Sequence, residues 1–336
     1  MQEKKFERII ISRTDSIGDV MLTLPMCGVL KKFFPHCKIS FLGRSYTRAI
    51  INSCIYADDF LDWDEIKMQS PIKQIEILSE VKADVIIHAY PRKEIVWLAK
   101  RANILLRIAT GNRLFTVTKC NRLVFFTRKN SPLHEAQLNL KLLKPLGIEP
   151  ELSKQELEAY FGFQPSGAII PFSFPPFENK TRIVLHPLSK GSAIEWGLEN
   201  YQRLIEFLSP EKFEVYITGT KEEGEQILSQ HPLSGKNVSD LTGKFTLEEL
   251  IDFIGQCDVM VAASTGPLHI AAVLGKVAIG LFSPKRPIHA GRWAPIGKNV
   301  QVISSKVHPH KGEKLAIEPG EVFRLVEEVL QSAVKT

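Results

Sequence analysis

The chain has 336 residues, of which 44% are hydrophobic and 24% charged, and its 43 Lys+Arg against 37 Asp+Glu give a net charge of +6. This length suggests about two domains, and the composition excludes a collagen, a disordered chain and a disulfide scaffold. So mild a positive excess does not call for a nucleic-acid partner; it matters only where it is concentrated.

The N-terminus, Met1 to Arg8, is charged and lacks the apolar stretch of a signal peptide. No segment reaches the roughly 18 apolar residues of a membrane-spanning helix. The five cysteines, Cys27, Cys37, Cys54, Cys120 and Cys257, are odd in number, and no two are spaced for zinc or a redox pair. A cytoplasmic protein with reduced thiols is expected, with peripheral attachment to a membrane surface left open.

In chain order, short β-rich apolar runs alternate with amphipathic stretches. Arg8 to Ser12 is a predicted strand, followed by the polar loop Arg13 to Asp19 and a predicted helix from Val20 to Phe34. Lys38 to Gly43 and Asp84 to His88 are further strands, and Leu105 to Ala109 is a weaker one. The pattern breaks over Gly162 to Glu178, where Pro165, Pro171, Pro175 and Pro176 fall among several Phe with no helical period. This reads as an interdomain linker. Alternation then resumes with strands at Arg182 to His186, Phe213 to Thr218, Asp258 to Ala262 and Val277 to Phe282. Between and after them lie helices at Leu198 to Leu208, Lys221 to Gln230, Thr246 to Ile254, Pro267 to Leu274 and Pro319 to Ala333. Continuous apolar strands alternating with helices indicate parallel sheets covered on both faces. The fold class is therefore α/β, with two doubly wound domains at 1–165 and 166–318. A last helix, 319–336, is expected to pack back on the first domain. Ligands of such sheets sit beyond the carboxyl ends of the strands, and a cleft between two such domains is the expected site.

Three loops between a strand and a helix carry candidate chemistry. In the first, Thr14, Asp15, Ser16, Gly18 and Asp19 precede or open a helix. Asp15 or Ser16 suits a helix cap, Gly18 suits a tight turn, and Asp19 suits a general base. In the second, Ser189, Lys190 and Gly191 follow a strand; small residues and a lysine there suit an anion, and a plain surface loop fits equally. In the third, Ser264, Thr265 and Gly266 lead into Pro267, a good first helical residue, with His269 in the first turn. Backbone N–H groups at such a helix start can hold a phosphate, while His269 also suits simple packing. Asp62-Trp63-Asp64 is a D-x-D, which could serve a divalent metal but reads better as a solvated strand edge. His308 and His310 lack a third ligand. Neither G-x-G-x-x-G, a P-loop nor G-x-S-x-G occurs at a strand end.

Together these segments resemble a known family. Arg13 to Pro25 (RTDSIGDVMLTLP), His186 to Ile205 and Asp240 to Phe282 (through STGPLHIAA) are similar, in order, to the ADP-heptose:lipopolysaccharide heptosyltransferases, glycosyltransferase family 9. The resemblance implies the GT-B fold, two Rossmann-like domains facing a central cleft, with acceptor on the first domain and nucleotide-sugar on the second. It implies an inverting transfer with no metal and no cofactor beyond the nucleotide-sugar cosubstrate, ADP-heptose. It also implies a base at Asp19, phosphate contacts at Thr265 and Gly266, and a nucleoside near Thr242 and Gly243. Two positions depart from the family pattern. The K-x-W-P of many members is Ile194-Glu195-Trp196-Gly197 here, leaving Lys190 to supply the charge, and Ser264 replaces an Asp before T-G. These departures keep two alternatives in view: a UDP- or GDP-linked donor, or a non-catalytic binding protein on the same scaffold. The sequence sets no oligomeric state.

The charge is polarised. Residues 1–165 hold 25 basic and 18 acidic residues (25 − 18 = +7), and 166–336 hold 18 and 19 (18 − 19 = −1). Lys82 to Pro145 alone has 13 basic and 3 acidic residues (13 − 3 = +10). On the acceptor half, this suits an anionic glycolipid at the inner membrane face or a solvated basic surface. Arg92, Lys93, Arg113 and Arg122 are its candidate acceptor contacts.

Overall fold

The computed structural model describes residues 6–175, 180–310 and 312–333. The chain divides between Gln164 and Pro165 into two compact units. In the first, strands β1 (Arg8–Ser12), β2 (Lys38–Gly43), β3 (Asp59–Asp62), β4 (Val85–His88), β5 (Leu106–Thr110) and β6 (Arg122–Val124) form one parallel sheet of order β3-β2-β1-β4-β5-β6. In the second, β7 (Thr181–His186), β8 (Phe213–Ile217), β9 (Val238–Asp240), β10 (Val259–Ala263), β11 (Val277–Phe282) and β12 (Val300–Ser304) form another, of order β12-β11-β10-β7-β8-β9. Both have the same topology, and in both the order reverses beside the first strand: between β1 and β4, and between β7 and β10. These are the switch points at which open α/β sheets bind ligands.

The central strands are continuous apolar runs because helices cover both faces of each sheet. Ile9, Ile10 and Ile11 of β1, and Ile183, Val184 and Leu185 of β7, are all fully buried. Each such side chain contributes roughly 1.5–3 kcal/mol of hydrophobic stabilisation. All five cysteines are buried free thiols.

The structure corrects several expectations. The helix expected from Val20 to Phe34 is two helices, Ile17–Met21 and Pro25–Phe33. Pro25 has no N–H to continue the first and instead starts the second. The C-terminal helix Pro319–Ala333 belongs to the second unit. It packs on helix Leu198–Phe207 of the second unit, where Phe323 stacks on Phe207 and Val322 and Val326 enter the core. The Pro-rich stretch is tied down at both ends rather than hanging free. The Ile55 N–H donates to the Gly162 carbonyl at 2.8 Å, and the Ser166 and Gly167 N–H groups donate to the Asp252 carboxylate at 3.0 and 2.9 Å. Phe172 and Phe174 join Tyr216 and Phe253 in an aromatic cluster. Residues 176–178 of that stretch, 1–5 of the charged N-terminus and 334–336 of the last helix lie outside the described residues. Four strands were not expected: β3, β6, β9 and β12. All four are the edges of the two sheets.

Candidate active site

At the first switch point, the loop after β1 is organised by one buried arginine. Arg13 uses all three guanidinium nitrogens. Its Nε donates to Asp15 Oδ1 at 2.7 Å, one terminal nitrogen donates to Asp19 Oδ1, and the other reaches Glu135 Oε1 at 3.4 Å and Asn139 Oδ1 at 3.3 Å. Burial works against its charge, but Asp15, Asp19 and Glu135 more than offset this and hold its pKa above the ordinary value. Arg128 braces Glu135 and Asn139 from the far side.

The second Asp19 oxygen accepts from the Ser16 hydroxyl. Ser16 occupies the N-cap position of helix Ile17–Met21 but makes no capping bond. The capping expectation for Ser16 is thus corrected: its hydroxyl is committed to Asp19. Nor is Asp15 a cap, since its carboxylate pairs with Arg13. Burial raises the Asp15 carboxyl to about 6, opposed by Arg13 and reinforced by the neighbouring Asp19.

The loop after β4 closes over this one. Arg92 donates to the Thr14 hydroxyl and, at 3.0 Å, to the Thr14 carbonyl. The guanidiniums of Arg13, Arg92 and Arg113 lie 5.9, 5.6 and 5.4 Å from the centre of the Tyr90 ring, within cation–π range. Tyr46 donates to the Asp15 carbonyl. Beside them, a cavity of about 230 Å³ is lined by Arg44, Trp63, Lys67, Arg92 and Glu94. Arg92 thus reaches the loop after β1, and Arg113 reaches Tyr90 in the loop after β4. Lys93 and Arg122 are solvent-facing and make no contact with the loop after β1 among the described residues. Sequence reasoning passed over Tyr90, Arg128, Glu135 and Asn139. No local pattern marks them, because Glu135 is 122 residues from Arg13.

At the second switch point, the loop after β10 opens helix Gly266–Val273, with Thr265 as N-cap. Thr265 is buried, makes no capping bond, and its Oγ1 has no hydrogen-bond partner among the described residues. A buried unpaired hydroxyl costs about 1–3 kcal/mol, and it sits on the positive end of a helix. Ser264 and Gly266 are partly exposed; Pro267 and His269 are buried in the first turn.

In the loop after β7, Lys190 and Gly191 both take left-handed backbone conformations, φ +47° and +78°. The Ser189 hydroxyl donates to Glu195 and Ala193, and the Ser189 N–H also donates to Glu195. Lys190 faces Glu222, at 3.6 Å, and is more than half exposed. A different lysine stands at the Trp196-Gly197 turn: Lys314, whose Nζ is 3.1 Å from Glu195 Oε2. Gly197 has φ +101°, a conformation proline cannot adopt. Thr242 donates from both N–H and hydroxyl to Asp240, and Gly243, at φ +68°, donates its N–H to the Gly219 carbonyl at 2.9 Å. That loop is packed on the start of helix Lys221–Gln230, and a Cβ on Gly243 would lie 2.9 Å from Lys221 Cα. Sequence reasoning also missed the loop after β11, where Lys285 and Arg286 follow Ser283. Its signal was legible: a basic, Pro-punctuated run directly after a buried strand.

The D-x-D is corrected in detail. Asp62 does end an edge strand, but it is 6% exposed, not solvated. It caps helix Trp63–Ile66 and pairs with Arg48 at 2.9 Å, while Asp64 pairs with Arg44 and Lys67. Those cations hold the Asp64 carboxyl below the usual carboxylate range against the effect of burial. His308 and His310 are exposed. Among the described residues, no three His, Cys, Asp or Glu converge as a metal site.

Two parallel doubly wound sheets with flanking helices and this shared topology give the chain the architecture of GT-B glycosyltransferases. The model of glycosyltransferase family 9 (heptosyltransferase) matches residues 122–318; the chain belongs to that family and is a glycosyltransferase. It is similar to lipopolysaccharide heptosyltransferase 3 of Escherichia coli, at 24% identity over 84% of each chain. Its fold is similar to that of the ADP-heptose lps heptosyltransferase II of E. coli (TM-score 0.73, 16% identity, 97% of this chain and 99% of that one). It is likewise similar to E. coli heptosyltransferase WaaC solved with ADP (TM-score 0.70, 18% identity, 96% and 99%).

Proposed function

We propose that the protein is an inverting, metal-independent heptosyltransferase that moves heptose from ADP-heptose to a lipopolysaccharide-core glycolipid at the inner membrane face. Family membership and the relatives' substrates support this reading. One observation carries it: both oxygens of Asp19 are held, by Arg13 and Ser16, at the switch point of the first sheet. A general base must be oriented before it is basic enough, and a carboxylate fixed at both oxygens is oriented.

Asp19 takes the proton of an acceptor hydroxyl. That oxygen bonds to the anomeric carbon as the bond from carbon to the leaving phosphate oxygen breaks on the opposite face, inverting the centre. The departing nucleoside diphosphate gathers negative charge, which the start of helix Gly266–Val273 stabilises, with Thr265 Oγ1 donating to a phosphate oxygen. Preorganised donors of this kind are worth about 10²–10³ in rate. Ser189, Lys190 and Gly191, with Ser264, Pro267 and His269, complete the donor side, and Thr242 and Gly243 border the nucleoside. Thr14, Asp15, Ser16 and Gly18 shape the acceptor side, where the basic cavity beside Arg92 suits an anionic sugar. No cofactor is required, and the enzyme works on the cytoplasmic side as a peripheral protein.

The test is transfer from ADP-heptose to a truncated core glycolipid, with the anomeric configuration of the product read by NMR. Inversion with activity retained in chelator is expected; a retained configuration, or loss in chelator with rescue by Mn²⁺, would overturn it. Gly197 at φ +101° favours one second reading. A turn unlike Trp-Pro at the donor loop suits a UDP- or GDP-linked sugar, and thermal shifts with ADP, UDP and GDP separate the two, each ligand adding about 2.7 kcal/mol at 100 Kd. Product from any donor would exclude a non-catalytic binding protein.

A further inference from the structure

We infer that Lys285 and Arg286, in the loop after β11, bind the distal phosphate of the nucleoside diphosphate, the one bonded to the sugar. β10 and β11 run parallel in a register that sets Ala263 against Leu281. Carried two residues on, the same register sets Thr265 beside Ser283, so the two loops leave one end of the sheet as neighbours. Thr265, the N-cap of helix Gly266–Val273, is 4% exposed, and its Oγ1 has no hydrogen-bond partner among the described residues. From Ser283 the chain runs along that helix to its last turn, where a Cβ on Gly297 would collide with the Ala272 carbonyl oxygen. The loop is braced on the way. The Lys285 N–H donates to the Ser283 hydroxyl at 3.1 Å, the Ile288 N–H to the Lys285 carbonyl at 3.0 Å, and Trp293 Nε1 to the Pro287 carbonyl at 2.9 Å.

The charge of this loop calls for an anion. Residues 283–297 contain Lys285, Arg286 and Arg292 and no Asp or Glu. Lys285 and Arg286 are exposed and have no carboxylate partner among the described residues. Burial, Arg286 and Arg292 together push the His289 pKa below its ordinary value, so the Arg286 charge is felt within the loop. The carboxylates after β7 and β8 are engaged elsewhere, Glu195 by Ser189 and Lys314 and Glu222 by Lys190. A buried donor without a partner at a helix start, flanked by two unpaired cations, suits a phosphate: the hydroxyl and helix fix it and the cations neutralise it. The order of the strands says which phosphate. The nucleoside position proposed above follows β9, Thr265 follows β10, and β11 is next in the sheet. A donor laid from nucleoside to sugar along that edge meets Thr265 first and Lys285 and Arg286 after it. They then face the phosphate that gathers charge as the bond to the sugar breaks. The inference rests on the donor arrangement proposed above and adds to it the cations that the leaving group needs.

The experiment is calorimetry on the full chain with three ligand pairs: ADP and AMP, UDP and UMP, GDP and GMP. Chelator is present so that no metal carries the phosphate charge. The wild type should bind one diphosphate at least about tenfold more tightly than its monophosphate, as bonds between charged groups and a further phosphate require. Lys285→Gln with Arg286→Gln should close that gap to within about threefold, because the charge-assisted bonds are gone. Monophosphate affinity and melting temperature should stay at their wild-type values. Lys285→Arg with Arg286→Lys keeps the charge and should keep the gap. A gap that survives Lys285→Gln with Arg286→Gln, or no gap in the wild type, would overturn the inference. So would an equal loss of monophosphate and diphosphate affinity, or a gap that Lys190→Gln closes further than the paired substitution does. A gap shown by UDP or GDP in place of ADP, and closed by the paired substitution, would instead remove the ADP-heptose reading and leave the site standing.

Discussion

The two switch points occupy the same place in the same topology and are built from opposite materials. In the first, a buried guanidinium gathers three carboxylates, Asp15, Asp19 and Glu135, and every charged group has a partner. In the second, the loop is neutral and small, and its central hydroxyl, Thr265 Oγ1, is left unpaired. A site that must hold and move a proton needs a carboxylate fixed in place by neighbours. One that must receive an anion needs donors left unspent and a helix start. The fold is shared; what differs is that the first loop's charges are paired within the chain while the second leaves Thr265 Oγ1 without a partner among the described residues.

The largest effect should separate the halves outright. Asp19→Asn is expected to lower kcat by about 10²–10⁴ while the thermal shift on adding ADP stays at its wild-type value. A loss under tenfold, or a lost ADP shift, would break the assignment of the proton to the first unit.

Arg13→Gln comes next. Removing one partner of a buried charge network costs about 3–5 kcal/mol, so urea unfolding should show a loss of that order. Lys190→Gln, at an exposed 3.6 Å pair with Glu222, should cost less than about 1 kcal/mol. Equal effects would mean that Arg13 is not the keystone the geometry makes it.

The Asp15 carboxyl gives a pH signature to the first site. Its folded value, about 6, lies above the ordinary carboxylate value of 3.8, so the folded state holds this proton more tightly than the unfolded chain does. Its stabilising contribution is full below the unfolded value and is lost as pH rises through about 6. Two pKa units correspond to roughly 3 kcal/mol. The stability difference between wild type and Asp15→Asn should therefore change by up to that amount between pH 4 and 6. A flat difference would sink the burial argument.

Thr265→Val is the smallest and sharpest of these tests. A hydrogen bond to a charged group is worth about 1.5–3 kcal/mol, so ADP affinity by calorimetry should fall by about ten- to a hundredfold. The variant without ligand should be as stable as the wild type or more so, because an unpaired buried hydroxyl is gone. Unchanged affinity would remove Thr265 from the donor side.

Much of this was legible in the chain. Strands β1, β2 and β11 fall at the residues expected, and the other central strands within a residue or so, because burial on both faces writes an unbroken apolar run. The switch-point loops could be found because they follow such runs. The edge strands could not: β3 (DFLD) and β9 (VSD) are short and half exposed, so they carry polar residues and no period that a local reading detects.

What the sequence determined by itself was the α/β class, the pair of doubly wound sheets and the loops from which chemistry would come, all of them consequences of local periodicity. Only the tertiary structure decided what those loops' side chains do. Ser16 looked like a cap and became a support for Asp19; Asp62 looked solvated and became a buried cap; the last helix joined the second unit. Asp19 is only three residues from Ser16, but it is held there by Arg13, which is fixed in turn by Glu135, 122 residues away, and the last helix packs on a helix more than a hundred residues earlier; burial and pairing with such partners leave no trace in the residues on either side.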